Sequence, residues 1–293
     1  MPEPLINQEK ELKLAAFRHD GSTAYGVIQG DQVLVPPPGF LQRHPDIRSV
    51  LAAQALQALQ ESASASSSLP LSGLQWEPVI AQPNKIICVG LNYKTHVAET
   101  KRADSEYPSL FLRFVDTLTA HETDVPRPSF SDRFDWEGEL ALVIGKGGRD
   151  IPKENAFEHI AGYACFNDIS VRDWQRHTHQ FTPGKNFPGT APFGPFLVTR
   201  DEVADVQALG LETRVNGQVM QKASIADLIF DIPTLIAYIS RFTPLSPGDV
   251  IATGTPGGVG DRREPPLYMK DGDVVEVEIT GLGVLRNRIV TAA

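Results

Sequence analysis

Apolar residues recur along the chain at two spacings, and each change of spacing marks a different element. In residues 12–36, LKLAAFRHDGSTAYGVIQGDQVLVP, short alternating stretches are separated by His19-Asp20-Gly21 and Gly30-Asp31. Such pairs supply the backbone angles of tight turns, so this region predicts a small antiparallel meander. In residues 47–60, IRSVLAAQALQALQ, the residues Val50, Leu51, Leu56 and Leu59 share one apolar stripe, which predicts a short helical region. The next stretch, ESASASSSLPLSG (61–73), has little to bury and reads as a linker, with a boundary near residue 75. A small N-terminal domain with its linker would then span residues 1–75 and a larger domain residues 76–293.

Past that boundary the pattern is mostly β. KIICVGL (85–91), ELALVIG (139–145), IAGYACFNDI (160–169), PFGPFLVT (192–199), LETRVNG (211–217), DVIATG (249–254) and DVVEVEITGLGVLRNRIV (273–290) read as strands punctuated by Gly and Pro. In the last, Val275, Val277 and Ile279 alternate with Glu276, Glu278 and Thr280. One helix interrupts, SIADLIFDIPTLIAYISRF (224–242), with Ser224 and Asp227 as a capping box and Pro233 expected to break or kink it. Many short strands and few helices predict a rolled or barrel-like sheet rather than a βαβ fold.

Composition narrows the function. Of the 293 residues, 41% are hydrophobic and 22% charged, the range of a globular protein with a real core. A net charge of −9 and a pI near 5.3 argue against nucleic acid or an anionic membrane as partner. The start, MPEPLINQEKELKLAAF, shows no signal pattern, and Cys88 and Cys165 lack metal or redox spacing. A cytoplasmic protein with reduced, buried cysteines is the expectation.

The residues that carry chemistry begin in DWEGELALVIG (135–145). Glu137 and Glu139 stand two apart at the mouth of an apolar run, so on a strand they share a face. They are either solvated acids at a strand edge or part of a cation site. Asp168, at the end of another apolar strand, would complete three carboxylates, a hard oxygen site suited to Mg²⁺, Mn²⁺ or Ca²⁺. In GLNYKTHVAET (90–100), His96 and Glu99 lie i, i+3, so a short helix would let the carboxylate orient the imidazole as a general base. Arg172, Gln175 and Lys185 follow Asp168 in a loop-rich segment and suit an anionic substrate. His177 and His179 read as loop positions rather than a metal pair. The loop PGDVIATGTPGGVG (247–260) lacks the phosphate-loop and dinucleotide fingerprints; it is either an anion cradle of backbone N–H groups or a tight turn.

In their order, VGLNYKTHVAE, PSLFLRF, DWEGELALVIG, GYACFNDISVRDWQ, GKNF, PFGPFLVT, VNGQVMQ and PGDVIATGTPGGVG resemble the fumarylacetoacetate hydrolase family, in its acylpyruvase and hydroxyheptadienedioate isomerase-like branch. The resemblance covers about residues 85–290. It implies an α+β, predominantly β fold: a mixed β-sandwich roll with a small N-terminal α/β domain, in a homodimer. It further implies that Glu137, Glu139 and Asp168 bind a divalent cation, usually Mg²⁺, and that His96, oriented by Glu99, activates water on a helix that often acts as a lid. Lys185 would be catalytic, and Arg172, Gln175 and Thr255 would line the substrate pocket. Three features depart from the family pattern: Arg113 where many relatives have Lys, Asn186 after Lys185, and NFPGTAPFGP in place of the commoner SFDTFAPLGP.

The resemblance thus implies a metal-dependent hydrolase that splits a C–C bond of a 2,4-dioxo acid through an enolate, a reaction of aromatic-compound catabolism on a small anionic 2-oxo acid. Oxaloacetate decarboxylation, hydroxymuconate-type isomerisation and 2-oxo acid hydration or lysis are the alternatives on the same scaffold. A non-catalytic binding relative is disfavoured, because no matched functional position holds an inert residue.

Overall fold

The computed structural model describes residues 12–19, 21–63, 67–100 and 105–292. Asp20 of the expected turn, residues 64–66 of the Ser/Ala-rich stretch and the first eleven residues lie outside this set. The fold is mostly β. A 12-stranded sheet and a five-stranded sheet dominate, with a two-stranded ribbon beside them.

At the centre of the large sheet, Gly138–Ile144 and Ile160–Asn167 are buried at every position and pair antiparallel. Strand Val250–Ala252 lies on the other side of Gly138–Ile144 and pairs in parallel with Ile86–Gly90. Ser109–Arg113 pairs with Ile86–Gly90 and ends the sheet there. Alternation along Gly138–Ile144 sorts its two faces. Leu140, Leu142 and Ile144 pack into a core with Leu211, Val277, Ile279 and Leu285 of the five-stranded sheet. Ala141 and Val143 face the other core, with Phe166, Phe193 and the N-terminal residues Phe40, Val50 and Leu59. The α+β, predominantly β expectation holds, and so does the rolled, two-sheet architecture.

The N-terminal meander forms as expected from Lys13–His19, Ser22–Gln29 and Gln32–Val35. It does not stand apart, because Lys13–His19 pairs with Ala191–Thr199 and so extends the large sheet. The stretch expected as a linker carries the end of helix Leu56–Ser62 and strand Ser67–Pro70, which pairs with Gln32–Val35. Ser67 and Ser68 sit on an exposed edge strand, where a lack of apolar surface costs nothing. Strand Gln75–Glu77 returns to Lys13–His19, so the sheet runs across the expected boundary at residue 75.

The helical region at 47–60 is two helices, Ile47–Ala52 and Leu56–Ser62, interrupted where Gln54 takes a positive φ of 53°. The helix expected over 224–242 also divides. The Ser224–Asp227 capping box caps only a single turn, Ile225–Asp227. A separate helix, Ile232–Phe242, starts at Asp231, whose side chain accepts the Thr234 N–H, and Pro233 sits in its first turn. A proline there loses no helical hydrogen bond, so Pro233 opens a helix rather than kinking one. Both cysteines are free and buried, with the Cys165 thiol pushed up to about 12 by burial. No helix among the described residues is long and apolar enough to cross a membrane.

Asp231→Ala removes the cap of helix Ile232–Phe242 and should cost about 1 kcal/mol in denaturant unfolding. An unchanged midpoint would mean that packing alone fixes that helix.

Candidate active site

Strand register explains how the acids meet. Gly138 pairs with Asn167, and the Asp168 N–H donates to the Glu137 carbonyl at 2.8 Å. The two strands therefore end side by side, with Glu137 and Asp168 at the same level and Glu139 on the same face as Glu137. One ligand atom from each of Glu137, Glu139 and Asp168 falls within 4.8 Å of the others, and all three residues are buried. The solvated-edge reading of Glu137 and Glu139 is thereby excluded.

The residue between the two glutamates faces the second sheet. A Cβ at Gly138 would lie 2.1 Å from Thr213 Oγ1, so glycine is required by close approach. The Gly138 N–H donates to Gln221 Oε1 at 3.0 Å, and the Glu137 N–H to Asn167 Oδ1 at 3.0 Å. Both acids are held by backbone that is itself pinned.

Three cations surround the triad. The Lys185 ammonium donates to Glu137 Oε2 at 2.7 Å, Asp168 Oδ2 at 2.6 Å and the Asp168 carbonyl at 2.9 Å. Arg172 reaches Glu137 Oε1 at 2.6 Å and Asp135 Oδ2 at 2.7 Å. Arg113 pairs with Asp168 Oδ1. Burial pushes the Glu137 carboxyl up, but Lys185 and Arg172 outweigh it and hold it at about 2. Burial disfavours the Lys185 charge, but Asp168 and Glu137 more than compensate and raise its pKa.

Glu139 has no such cation in contact. Burial, then Asp168 and Glu137, push its carboxyl well above the usual range, and its hydrogen-bond donor is the Gly254 N–H at 2.8 Å. Gly254 has φ +108°, which an L side chain rarely adopts. The same glycine-rich loop serves other carboxylates. Gly258 N–H donates to Glu99 Oε2 at 2.9 Å, while Gly260 and Asp261 N–H donate to Asp135 at 2.8 and 3.0 Å. The loop is an anion cradle, and the anions it holds here are the protein's own carboxylates.

His96 and Glu99 lie on helix Lys94–Thr100, with His96 Nδ1 2.6 Å from Glu99 Oε1. His96, Glu137, Glu139, Arg172, Gln175, Lys185 and Thr255 all line one cleft of about 340 Å³. Arg172 Nη1 donates to Gln175 Oε1 at 3.1 Å, and Thr255 Oγ1 donates to the Gly138 carbonyl at 2.9 Å. His177 is exposed and lies against Trp174, with ring centroids 5.0 Å apart and planes tilted by 45°; His179 lies at the cleft rim, and neither joins the acid group.

A family model, the C-terminal domain of fumarylacetoacetate (FAA) hydrolase, matches residues 85–290. The chain belongs to the fumarylacetoacetate hydrolase family. An oxaloacetate tautomerase of Xenopus laevis, described as mitochondrial, is 41% identical over 239 residues, 80% of this chain and 75% of that one. The solved fumarylacetoacetate hydrolase of Exiguobacterium antarcticum superposes with a TM-score of 0.86 at 33% identity, covering 96% of this chain and 100% of that one. A maleylpyruvate hydrolase of Sphingobium, solved with manganese(II) and pyruvate, gives 0.79 at 29% identity over 96% of this chain and all of that one. The family's enzymes thus include hydrolases and tautomerases on this scaffold.

The residues here fit a divalent ion of the kind that structure holds. The donors are all oxygen, and four buried carboxylates (Asp135, Glu137, Glu139, Asp168) against three cations (Arg113, Arg172, Lys185) leave a formal −1. Glu139 is the carboxylate that lacks a positive neighbour in contact. Asp135 escaped the sequence reading although its place was visible: DWEGE carries acids at 135, 137 and 139, one alternation longer than the pair. Arg113, noticed only as a departure, proves to be an Asp168 partner. Gln221 and Asn167 carried no signal, because nothing in their local sequence points to a strand end 83 or 30 residues away.

A divalent ion must displace the proton that Glu139 favours, so metal affinity should rise with pH. Mn²⁺ should therefore raise the melting temperature more at pH 8 than at pH 5.5; equal shifts would contradict the raised Glu139. Glu139→Gln should abolish the Mn²⁺ shift while leaving the metal-free protein at least as stable, since a neutral amide replaces a carboxyl whose ionised form burial and the neighbouring acids already disfavour.

Proposed function

We propose that this protein catalyses keto–enol tautomerisation of a small 2-oxo dicarboxylic acid of the oxaloacetate class, with a divalent ion in the acid triad. The observation that carries the reading is the His96–Glu99 pair in the wall of the same cleft as Glu137 and Glu139. The named activity of the Xenopus relative supports it. The ion, Mg²⁺ or Mn²⁺, would supply Lewis acidity that makes the hydrogens beside a chelating 2-oxo group more acidic.

The chain's own residues do the rest. His96 Nδ1 is committed to Glu99, so Nε2 is the atom that takes a proton from the carbon beside the 2-oxo group while water protonates the enolate oxygen; in reverse the enol oxygen gives its proton to water and Nε2 returns one to carbon. Glu99 fixes the tautomer and is itself held by Gly258. Lys185 and Arg172 keep Glu137 charged as a ligand. At the rim, Arg176 pairs with Asp261 and Arg262 lies 3.5 Å from the same carboxylate. Two half-exposed guanidiniums on one acid leave positive charge and spare donors facing the cleft, suited to the substrate's second carboxylate.

Hydrolysis of a 2,4-dioxo acid is the second reading, favoured by the likeness to a hydrolase holding manganese and pyruvate. There His96 Nε2 takes a proton from water, which attacks the distal carbonyl, and the C–C bond breaks to give a carboxylic acid and a pyruvate enolate. Ultraviolet absorbance of the enol separates the two. With Mn²⁺, the enol form of oxaloacetate should relax to the keto form faster than in buffer, and EDTA should remove the acceleration. No acceleration, with steady consumption of an acylpyruvate, would replace tautomerisation by hydrolysis.

His96→Ala should lower kcat by roughly 100- to 10,000-fold with Mn²⁺ affinity retained; lost Mn²⁺ binding would remove its role as base. Arg176→Ala and Arg262→Ala should each raise KM for oxaloacetate about tenfold, a loss of about 1.4 kcal/mol, and raise it less for a monocarboxylic 2-oxo acid. Equal effects on both acids would remove the rim from substrate recognition.

A further inference from the structure

Arg113 and Lys185 grip Asp168 from opposite sides, Arg113 on Oδ1 and Lys185 on Oδ2. Lys185 also holds Glu137 at 2.7 Å, so two of the three acids take their orientation from these cations. Neither cation rests on an element that is firm by itself. Arg113 ends strand Ser109–Arg113, which is paired on one side only. Lys185 ends the four-residue helix Thr182–Lys185, and a single helical turn has no stability of its own.

One side chain joins the two. Asn186 Oδ1 accepts the Phe114 N–H at 2.7 Å, and its Nδ2 donates to the carbonyls of Leu112 and Thr182, both at 3.0 Å. Leu112 and Phe114 flank Arg113, while Thr182 opens the turn that Lys185 closes. A single amide therefore closes that turn and hangs it on the sheet edge at the two residues either side of Arg113. On its far side, Arg113 Nη2 donates to Thr190 Oγ1 at 2.8 Å and to the Thr190 carbonyl at 3.1 Å, which fixes the guanidinium plane.

We propose that Asn186 is a positioning residue of the metal triad, setting the Asp168 and Glu137 carboxylates through Arg113 and Lys185. The inference rests on the triad taking a divalent ion. If the amide only covered a sheet edge, its loss would lower stability and change nothing at the acids. If it positions the cations, its loss lets Lys185 and Arg113 shift on Asp168, and metal affinity changes in protein that is still folded.

The test is Mn²⁺ titration calorimetry on wild type, Asn186→Ala and Asn186→Ser, at a temperature where near-ultraviolet circular dichroism shows each fully folded. Serine can still accept from Phe114 and donate to one carbonyl. The Mn²⁺ dissociation constant should rise at least fivefold in Asn186→Ala and by less in Asn186→Ser. An alanine variant that is folded and within twofold of wild type overturns the inference, even if its melting temperature falls. Should the alanine variant not fold, the serine variant decides, with a value within 1.3-fold of wild type counting against. Wild type that binds no Mn²⁺ would overturn the metal reading and this inference together, whereas binding left unchanged by substitution overturns this inference alone.

Discussion

Four carboxylates buried within reach of one another are the constraint around which this protein is arranged. Isolated, each would be driven to protonate, because a low-dielectric interior penalises charge and the acids repel. Two devices oppose that tendency. Arg113, Arg172 and Lys185 neutralise Asp135, Glu137 and Asp168 directly, and the backbone N–H groups of the loop at 254–261 reach Glu139 and Asp135. The balance stops one charge short at Glu139, whose carboxyl burial and its acidic neighbours push up, so this is the acid whose charged form an added cation would stabilise.

The same loop links the acids to the proton-transfer group. Gly258 holds one oxygen of Glu99 while the other meets His96, and Gly257 donates to Thr95 on the same helix at 3.1 Å. The helix carrying His96 is thus fastened to the segment that serves Glu139 and Asp135. Imidazole and acids share one backbone segment, which limits the freedom the His96 helix has to lose when a substrate arrives.

Much of this was legible in the sequence, and the limits have physical causes. Alternation placed Glu137 and Glu139 on one face, and i, i+3 spacing placed His96 against Glu99, because both depend only on local geometry. The strands that build the large sheet were visible as apolar runs. What local geometry cannot supply is the register between distant strands, which brings Asp168 to Glu137 and turns Gln221 toward Gly138. The glycine-rich loop read as either an anion cradle or a tight turn; its N–H groups do meet anions, but these are Glu139, Glu99 and Asp135, knowable only once the chain has folded back. The stretch at 61–73 misled because an exposed edge strand has the composition of a linker, and Pro233 because it opens a helix that the sequence ran together with the preceding turn.

The glycine between the two glutamates carries a consequence for how such a site can change. What first forbids a side chain at 138 is Thr213, whose Oγ1 lies 2.1 Å from where that side chain's Cβ would be, on strand Gly210–Val215 of the second sheet. Drift at the centre of the acidic motif is therefore conditional. A residue other than glycine needs a smaller residue at 213 first, and Val277 Cγ1, 3.3 Å from the same point, must also give way; the Thr213 hydroxyl itself is buried without a hydrogen-bond partner. The order of substitutions, rather than their number, decides whether that position can vary, and the gatekeeper is a threonine that a survey of the active site alone would pass over.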